Sequence, residues 1–92
     1  MERLIKCGQV KAVNSADIKF SRVGLGFEKL DRDVFDAEKA YDKVAALGVK
    51  PIRLQSGWQR TEREQGVYDF TWLDKIVENL LSRGLEPWMC LC

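Results

Sequence analysis

Two segments of the chain carry apolar residues at helical spacing, and each leads into a short apolar segment typical of a buried strand. Residues 37–47 place apolar side chains three and four positions apart, with Asp36 at the N-cap position. Residues 73–81 repeat this spacing after a capping pattern formed by Thr71 and Asp74. The strands predicted to follow are 52–55 and 88–92, and a third apolar segment at 23–28 precedes the first helix. The pattern therefore predicts the order βαβαβ.

Both predicted helices end at a glycine and continue in the same way. Gly48 and Gly84 are each followed by an apolar residue, a charged residue and a proline before the next strand begins. Strands that alternate with helices of this size predict parallel pairing with right-handed crossovers. The expected fold class is α/β. Because three strands and two helices leave a parallel sheet with an open edge, we expect the chain to be a portion of a larger sheet or barrel.

The chain divides into a leader, residues 1–22, and the βα region, residues 23–92. The leader has short apolar runs and a turn at 14–17, which predict one or two short strands or a loose hairpin. Within the βα region, residues 29–33 are predicted to form a charged turn and residues 56–70 a long loop.

The composition of the chain excludes several kinds of partner and functional site. The 92 residues are 46% hydrophobic and 32% charged, with a net charge of +1, which disfavours a nucleic-acid partner or a charged membrane surface. Histidine is absent, so catalytic triads and histidine-containing zinc sites are excluded within this chain. The three cysteines are predicted to be free thiols, which suits a cytoplasmic location. We expect no membrane span, no metal site and no cofactor.

Candidate functional residues lie where the predicted strands end, as is usual in parallel α/β proteins. Alternation along the second strand places Arg53 and Gln55 on the interior face, where an arginine needs an acidic partner. Glu28 is that partner, a ligand for a polar substrate, or a solvated loop residue. Trp58 is either an aromatic plate for a sugar or nucleobase, or a ring that closes the core. Arg53 itself either orients a catalytic carboxylate or fills the interior as part of an ion pair.

The loop carboxylates are poor candidates for catalysis. Glu62 and Glu64 lie in a charge-alternating segment without an apolar wall to raise a pKa, which favours a solvated loop with local ion pairs.

The order of residues in 52–74 resembles that of clan A glycoside hydrolases. It comprises a strand with arginine, then Trp58, Glu62, the segment Gly66-Val67-Tyr68-Asp69-Phe70 and a Leu-Asp helix start. Together with the glycine-rich first strand, it is most similar to family 39, the β-xylosidase and α-L-iduronidase type. The resemblance covers residues 23–92 and implies the first two and a half units of a (β/α)8 TIM barrel. It further implies retaining hydrolysis by two glutamates, with Arg53 beside the nucleophile and with Gln55 and Trp58 bordering the sugar.

In this clan the acid/base glutamate ends the fourth strand and the nucleophile ends the seventh, so the resemblance assigns no catalytic residue here. We therefore expect an N-terminal fragment of a glycosidase that is inactive alone, with a carbohydrate as the substrate of the intact protein. One alternative is a small α/β module that binds a partner or associates with itself through exposed strand edges. Another is a sugar-binding barrel without hydrolysis.

Overall fold

The computed structural model describes residues 3–29 and 35–91. Its three strands are β1, Leu25–Gly26; β2, Pro51–Gln55; and β3, Glu86–Cys90. Its α-helices are α1, Tyr41–Ala46; α2, Trp58–Thr61; and α3, Thr71–Ser82. Among the described residues, 3-10 helices occupy Ser15–Asp17 and Ala37–Lys39.

The strands form one parallel sheet, as the alternation of strands and helices predicted, and their order in the sheet is β1-β2-β3. Arg53 in β2 lies opposite Gly26 on one side and Trp88 on the other. Pairing continues past β1, because the Phe27 amide donates to the Arg53 carbonyl at 2.8 Å. The carboxyl ends of all three strands therefore lie at the same edge of the sheet.

The core lies between one face of the sheet and the helices. Ile52 and Leu54 are fully buried on that face, whereas Arg53 and Gln55 are only half-buried on the other, so the predicted alternation of β2 is confirmed. The central cluster of buried side chains comprises Phe27, Tyr41, Val44, Val49, Ile52, Leu54, Leu73, Ile76, Leu80 and Leu85.

The helix boundaries confirm part of the sequence prediction. The Asp36 carboxylate accepts a hydrogen bond from the Glu38 amide at 3.0 Å and caps the 3-10 turn that precedes α1. Gly48 and Gly84 both adopt a φ of +76°, the left-handed conformation that ends a helix most readily at glycine.

The start of α3 differs from the prediction. Thr71 does not cap the helix; instead its amide donates to the Asp69 carboxylate at 2.9 Å, and Phe70 occupies the N-cap position. Asp69 and Thr71 both carry a side-chain oxygen that could cap the helix. In the structure the cap comes from Asp69, the earlier of the two.

The long loop 56–70 and the leader also differ from expectation. The loop contains α2 and an isolated antiparallel bridge between Glu64 and Val67. The described leader, residues 3–22, contains the 3-10 helix Ser15–Asp17 and no strand. The predicted turn 29–33 and Cys92, the predicted last residue of the third strand, lie mostly or wholly outside the described residues.

Leader residues 13–17 pack beneath the sheet, at the amino-terminal ends of β2 and β3. Ser15 is completely buried, and its hydroxyl donates to the carbonyls of Val49 at 2.6 Å and Ala45 at 3.1 Å. The buried Lys50 ammonium donates in turn to the Ser15 carbonyl at 2.7 Å and to the Gly84 carbonyl. We call this set, Ser15, Ala45, Val49, Lys50 and Gly84, the basal clamp. It joins the leader to the end of α1 and the chain that follows it, and to the chain that follows α3.

Candidate functional site

Arg53 lies at the carboxyl half of β2 and forms an ion pair with Glu28. Their closest atoms, Nη1 and Oε1, are 3.1 Å apart, and each side chain is 39% exposed. Glu28 reaches this position across Gly26, where a Cβ atom would lie 3.3 Å from the Glu28 carboxylate oxygen. Of the alternatives that the sequence left open for Glu28, the geometry is that of the acidic partner of Arg53.

Two side chains of β3 complete the surroundings of Arg53. Its Nη2 donates to the Cys90 sulfur at 3.2 Å, and its guanidinium carbon lies 5.6 Å from the centre of the Trp88 ring. Gln55 shares this face and lies opposite Cys90 in the sheet. The face thus presents a guanidinium group, an amide and an aromatic ring, a combination suited to hydrogen bonding and stacking with a polar ring.

Trp58 lies in a second cluster, on α2, directly after β2. Gly57 turns the chain with a φ of +58°, and the Trp58 side chain that follows is 68% exposed. Its indole nitrogen donates to Glu62 Oε1 at 2.7 Å, across one turn of α2. The ring therefore does not close the core, contrary to one of its two predicted roles.

Glu62 is the residue that sequence reasoning underestimated. Besides the Trp58 indole, it accepts the Gly66 amide on Oε2 at 2.8 Å, and the Tyr68 hydroxyl lies near the same carboxylate. The two donors stabilise the carboxylate, so the pKa of Glu62 lies below its ordinary value, first because of Trp58 and next because of Gly66. The interaction with the Glu62 carboxylate in turn raises the pKa of Tyr68, because the negative charge favours the protonated phenol. The spacing of four residues between Trp58 and Glu62 in a helical turn is the signal that could have revealed the pair.

An open depression of about 440 Å³ lies beside this second cluster, at the edge of the sheet where β2 and β3 end. Its lining is mostly apolar and aromatic, and three of the lining side chains carry a hydroxyl group. The lining residues are Ser56, Trp58, Thr61, Tyr68, Phe70 and Leu91. Tyr68 and Phe70, which the sequence placed in loop and cap structure, contribute to its wall.

No group of three or more potential metal ligands occurs among residues 3–29 and 35–91. Within the same ranges, no helix has the length and apolar character needed to cross a bilayer. The groups suited to contacts with a ligand are those of the Arg53 face of β2 and those of the aromatic depression.

Comparison with known proteins identifies relatives of one kind. The model of glycoside hydrolase family 42, described as beta-galactosidase, matches residues 26–92. The beta-galactosidase BgaA of Clostridium cellulovorans is 35% identical over 68 residues, which cover 71% of this chain and 10% of the relative. BgaH of Haloferax lucentense, also a beta-galactosidase, is 33% identical over 54 residues, covering 58% of this chain and 8% of the relative.

A solved structure shares the fold. The polyextremophilic beta-galactosidase of the Antarctic haloarchaeon Halorubrum lacusprofundi superposes with a TM-score of 0.61 at 27% identity, covering 76% of this chain and 11% of that one. The chain therefore spans about a tenth of the length of these relatives.

Proposed function

The chain belongs to glycoside hydrolase family 42, and from that membership we propose that it forms one substrate-facing wall of a β-galactosidase barrel. Its three parallel strands with interleaved helices are a portion of the (β/α)8 barrel of this family. The expected likeness to clan A glycoside hydrolases is confirmed. The assignment to family 39 is not supported, because the matching family and the relatives are beta-galactosidases of family 42.

The position of the Arg53–Glu28 pair carries this proposal. It lies on the sheet face opposite the helix-covered core, near the strand ends at which TIM barrels bind substrate. A guanidinium there donates hydrogen bonds to a sugar hydroxyl or to a neighbouring carboxylate. We assign Arg53 this role, with Glu28 fixing its direction and with Gln55 and Trp58 bordering the sugar.

The proposed chemistry is hydrolysis of a β-galactoside with retention of configuration. It requires two carboxyl groups about 5 to 5.5 Å apart on a rigid scaffold. Glu28 is paired with Arg53, and Glu62 accepts hydrogen bonds from Trp58 and Gly66, so neither is assigned to catalysis. The 92-residue chain by itself is expected to bind a galactoside without cleaving it.

A graft tests the proposed function. Residues 26–92 would replace the matched segment of the Halorubrum lacusprofundi enzyme, and hydrolysis of nitrophenyl β-galactoside would be measured. We expect the graft to retain turnover, and we expect Arg53→Lys to lower kcat/KM by at least about tenfold, since lysine cannot reproduce the guanidinium fork.

Arg63→Lys is the matched control, because Arg63 is exposed in the loop after α2. Unfolding midpoints by circular dichroism would show that all grafts fold. A folded graft whose turnover is equally insensitive to Arg53→Lys and Arg63→Lys would refute the proposed role.

Self-association is a second candidate, favoured by the exposed apolar residues of β3. Within the described residues β3 pairs only with β2, and its residues Trp88 and Met89 are 53% and 39% exposed. Light scattering over a range of protein concentrations tests it, and a monomer at all concentrations would refute it.

A further inference from the structure

Glu62 joins two parts of the segment that surrounds the depression. One carboxylate oxygen accepts the indole N–H of Trp58 on α2, and the other accepts the Gly66 amide at the turn of the 64–67 bridge. Tyr68, on the far side of that turn, lies near the same carboxylate and lines the depression together with Trp58. The carboxylate thus connects the start of α2 to the chain that returns toward α3.

Without this carboxylate, little restrains the two aromatic rings. Trp58 and Tyr68 are 68% and 61% exposed, so packing against the core contributes little to their orientation. A charge-assisted hydrogen bond at 2.7 Å is short and directional, so the Glu62 carboxylate fixes the orientation of the Trp58 ring next to Tyr68. Both rings also line the depression.

We propose that Glu62 is a positioning residue, which holds the Trp58 ring beside Tyr68 so that the two rings form the aromatic walls of a site for the flat apolar face of a galactoside. The identity of the ligand rests on the proposed function; the positioning of the rings does not. Aromatic rings present a hydrophobic surface at low entropic cost only when their rotation is already restricted. The contribution of Glu62 is therefore to binding, through preorganisation, and not to the chemical step.

The test uses the 92-residue chain, Glu62→Ala, Glu62→Gln and the control Glu64→Gln. Glu64 lies in the same loop and is exposed, so its substitution removes the same charge two residues away. The first readout is the indole N–H resonance of Trp58 by NMR, identified among the three tryptophans by its disappearance in Trp58→Phe. The second readout is the Kd of phenyl β-D-galactopyranoside, obtained from the shift of that resonance.

We expect Glu62→Ala to move the Trp58 indole proton upfield, because its hydrogen bond to an anion is lost, and to weaken galactoside binding about fivefold. Glu62→Gln should give an intermediate shift, since an amide oxygen still accepts the indole proton without the charge. Glu64→Gln should change neither readout. Far-UV circular dichroism would confirm that α3 and the sheet persist in every variant.

The outcomes separate the two proposals. An indole resonance that stays in place in Glu62→Ala, or that moves equally in Glu64→Gln, overturns the positioning role. A resonance that moves as expected while the unsubstituted chain binds no galactoside supports the positioning role and contradicts the proposed ligand. Loss of the indole hydrogen bond with unchanged galactoside affinity overturns the link between positioning and binding.

Discussion

Replacing Gly84 with alanine should destabilise the chain far more than the same change at Gly66. Both glycines have a positive φ, +76° and +83°, a left-handed conformation that is unfavourable for alanine at either position. Adopting it lowers the free energy of unfolding by about 1 kcal/mol. The two sites differ in their surroundings: a Cβ atom at Gly66 meets nothing within 4 Å, whereas at Gly84 it would lie 2.6 Å from the Ala16 Cα. Gly66→Ala is therefore a matched control for backbone strain alone.

The extra cost at Gly84 arises from the basal clamp. Ala16 can retreat from the new methyl group only if the leader moves, which breaks the bond from Lys50 to the Ser15 carbonyl and loosens the buried Ser15 hydroxyl. Losing such buried bonds costs about 2 kcal/mol. The total for Gly84→Ala is then about 3 kcal/mol, against about 1 kcal/mol for Gly66→Ala.

Thermal unfolding followed by far-UV circular dichroism measures the difference. In a domain of this size each kcal/mol lowers Tm by roughly 4 to 8 °C, so Gly84→Ala should lower it about three times as far as Gly66→Ala. The same pair of substitutions in a chain without residues 1–17 completes a double-mutant cycle. There the two glycines should become equivalent. Equal shifts in the full chain, or an excess at Gly84 that survives removal of the leader, would refute the reasoning.

Three further predictions follow from individual contacts. Ser15→Ala should cost about 1 to 2 kcal/mol in the free energy of unfolding, because the carbonyls of Val49 and Ala45 lose a buried donor, whereas Ser82→Ala on the exposed end of α3 should cost less than about 0.5 kcal/mol by the same urea titration. Glu28→Gln should change that stability by less than about 1 kcal/mol, since the pair is half-exposed, yet lower kcat/KM of the graft; unchanged turnover would contradict the role given to Glu28. Asp69→Ala should lower Tm at pH 7, and the difference from the unsubstituted chain should shrink as pH falls below the ordinary carboxyl range. The reason is that the hydrogen bonds from the Thr71 side chain and amide hold the pKa of Asp69 below its unfolded value, so their contribution is present above that value and lost on protonation; a difference independent of pH would contradict it.

The parts of the fold that sequence predicted are those governed by local rules. Asp36 caps its own turn, Gly48 and Gly84 end their helices, and the alternation of β2 separates Arg53 from Ile52; each depends on neighbours within a few residues. The parallel direction of the strands followed from the alternation of strands with helices. The prediction that the chain is part of a TIM barrel needed the resemblance to clan A glycoside hydrolases as well as the pattern of strands and helices.

The parts that sequence missed depend on contacts between distant residues or on the choice between similar groups. The docking of the predicted turn at Ser15 was not foreseen, because its hydroxyl donates to carbonyls more than two dozen positions away, which no window along the leader can show. Asp69 and Thr71 both offer capping oxygens, and only the backbone path decides between them. Glu62 looked like a solvated charge because its donors, the Trp58 indole and the Gly66 amide, belong to different local structures.

The basal clamp also has a consequence for the order of folding events. The Lys50 ammonium donates to the carbonyls of both Ser15 and Gly84. The leader therefore cannot acquire its full set of partners until α3 and the turn at Gly84 have formed. During synthesis residues 13–17 emerge from the ribosome before Gly84, so they complete their docking only after the chain has been extended past Gly84. Contacts of such high sequence separation form slowly and late, which makes residues 13–17 the closing element of this segment rather than its nucleus.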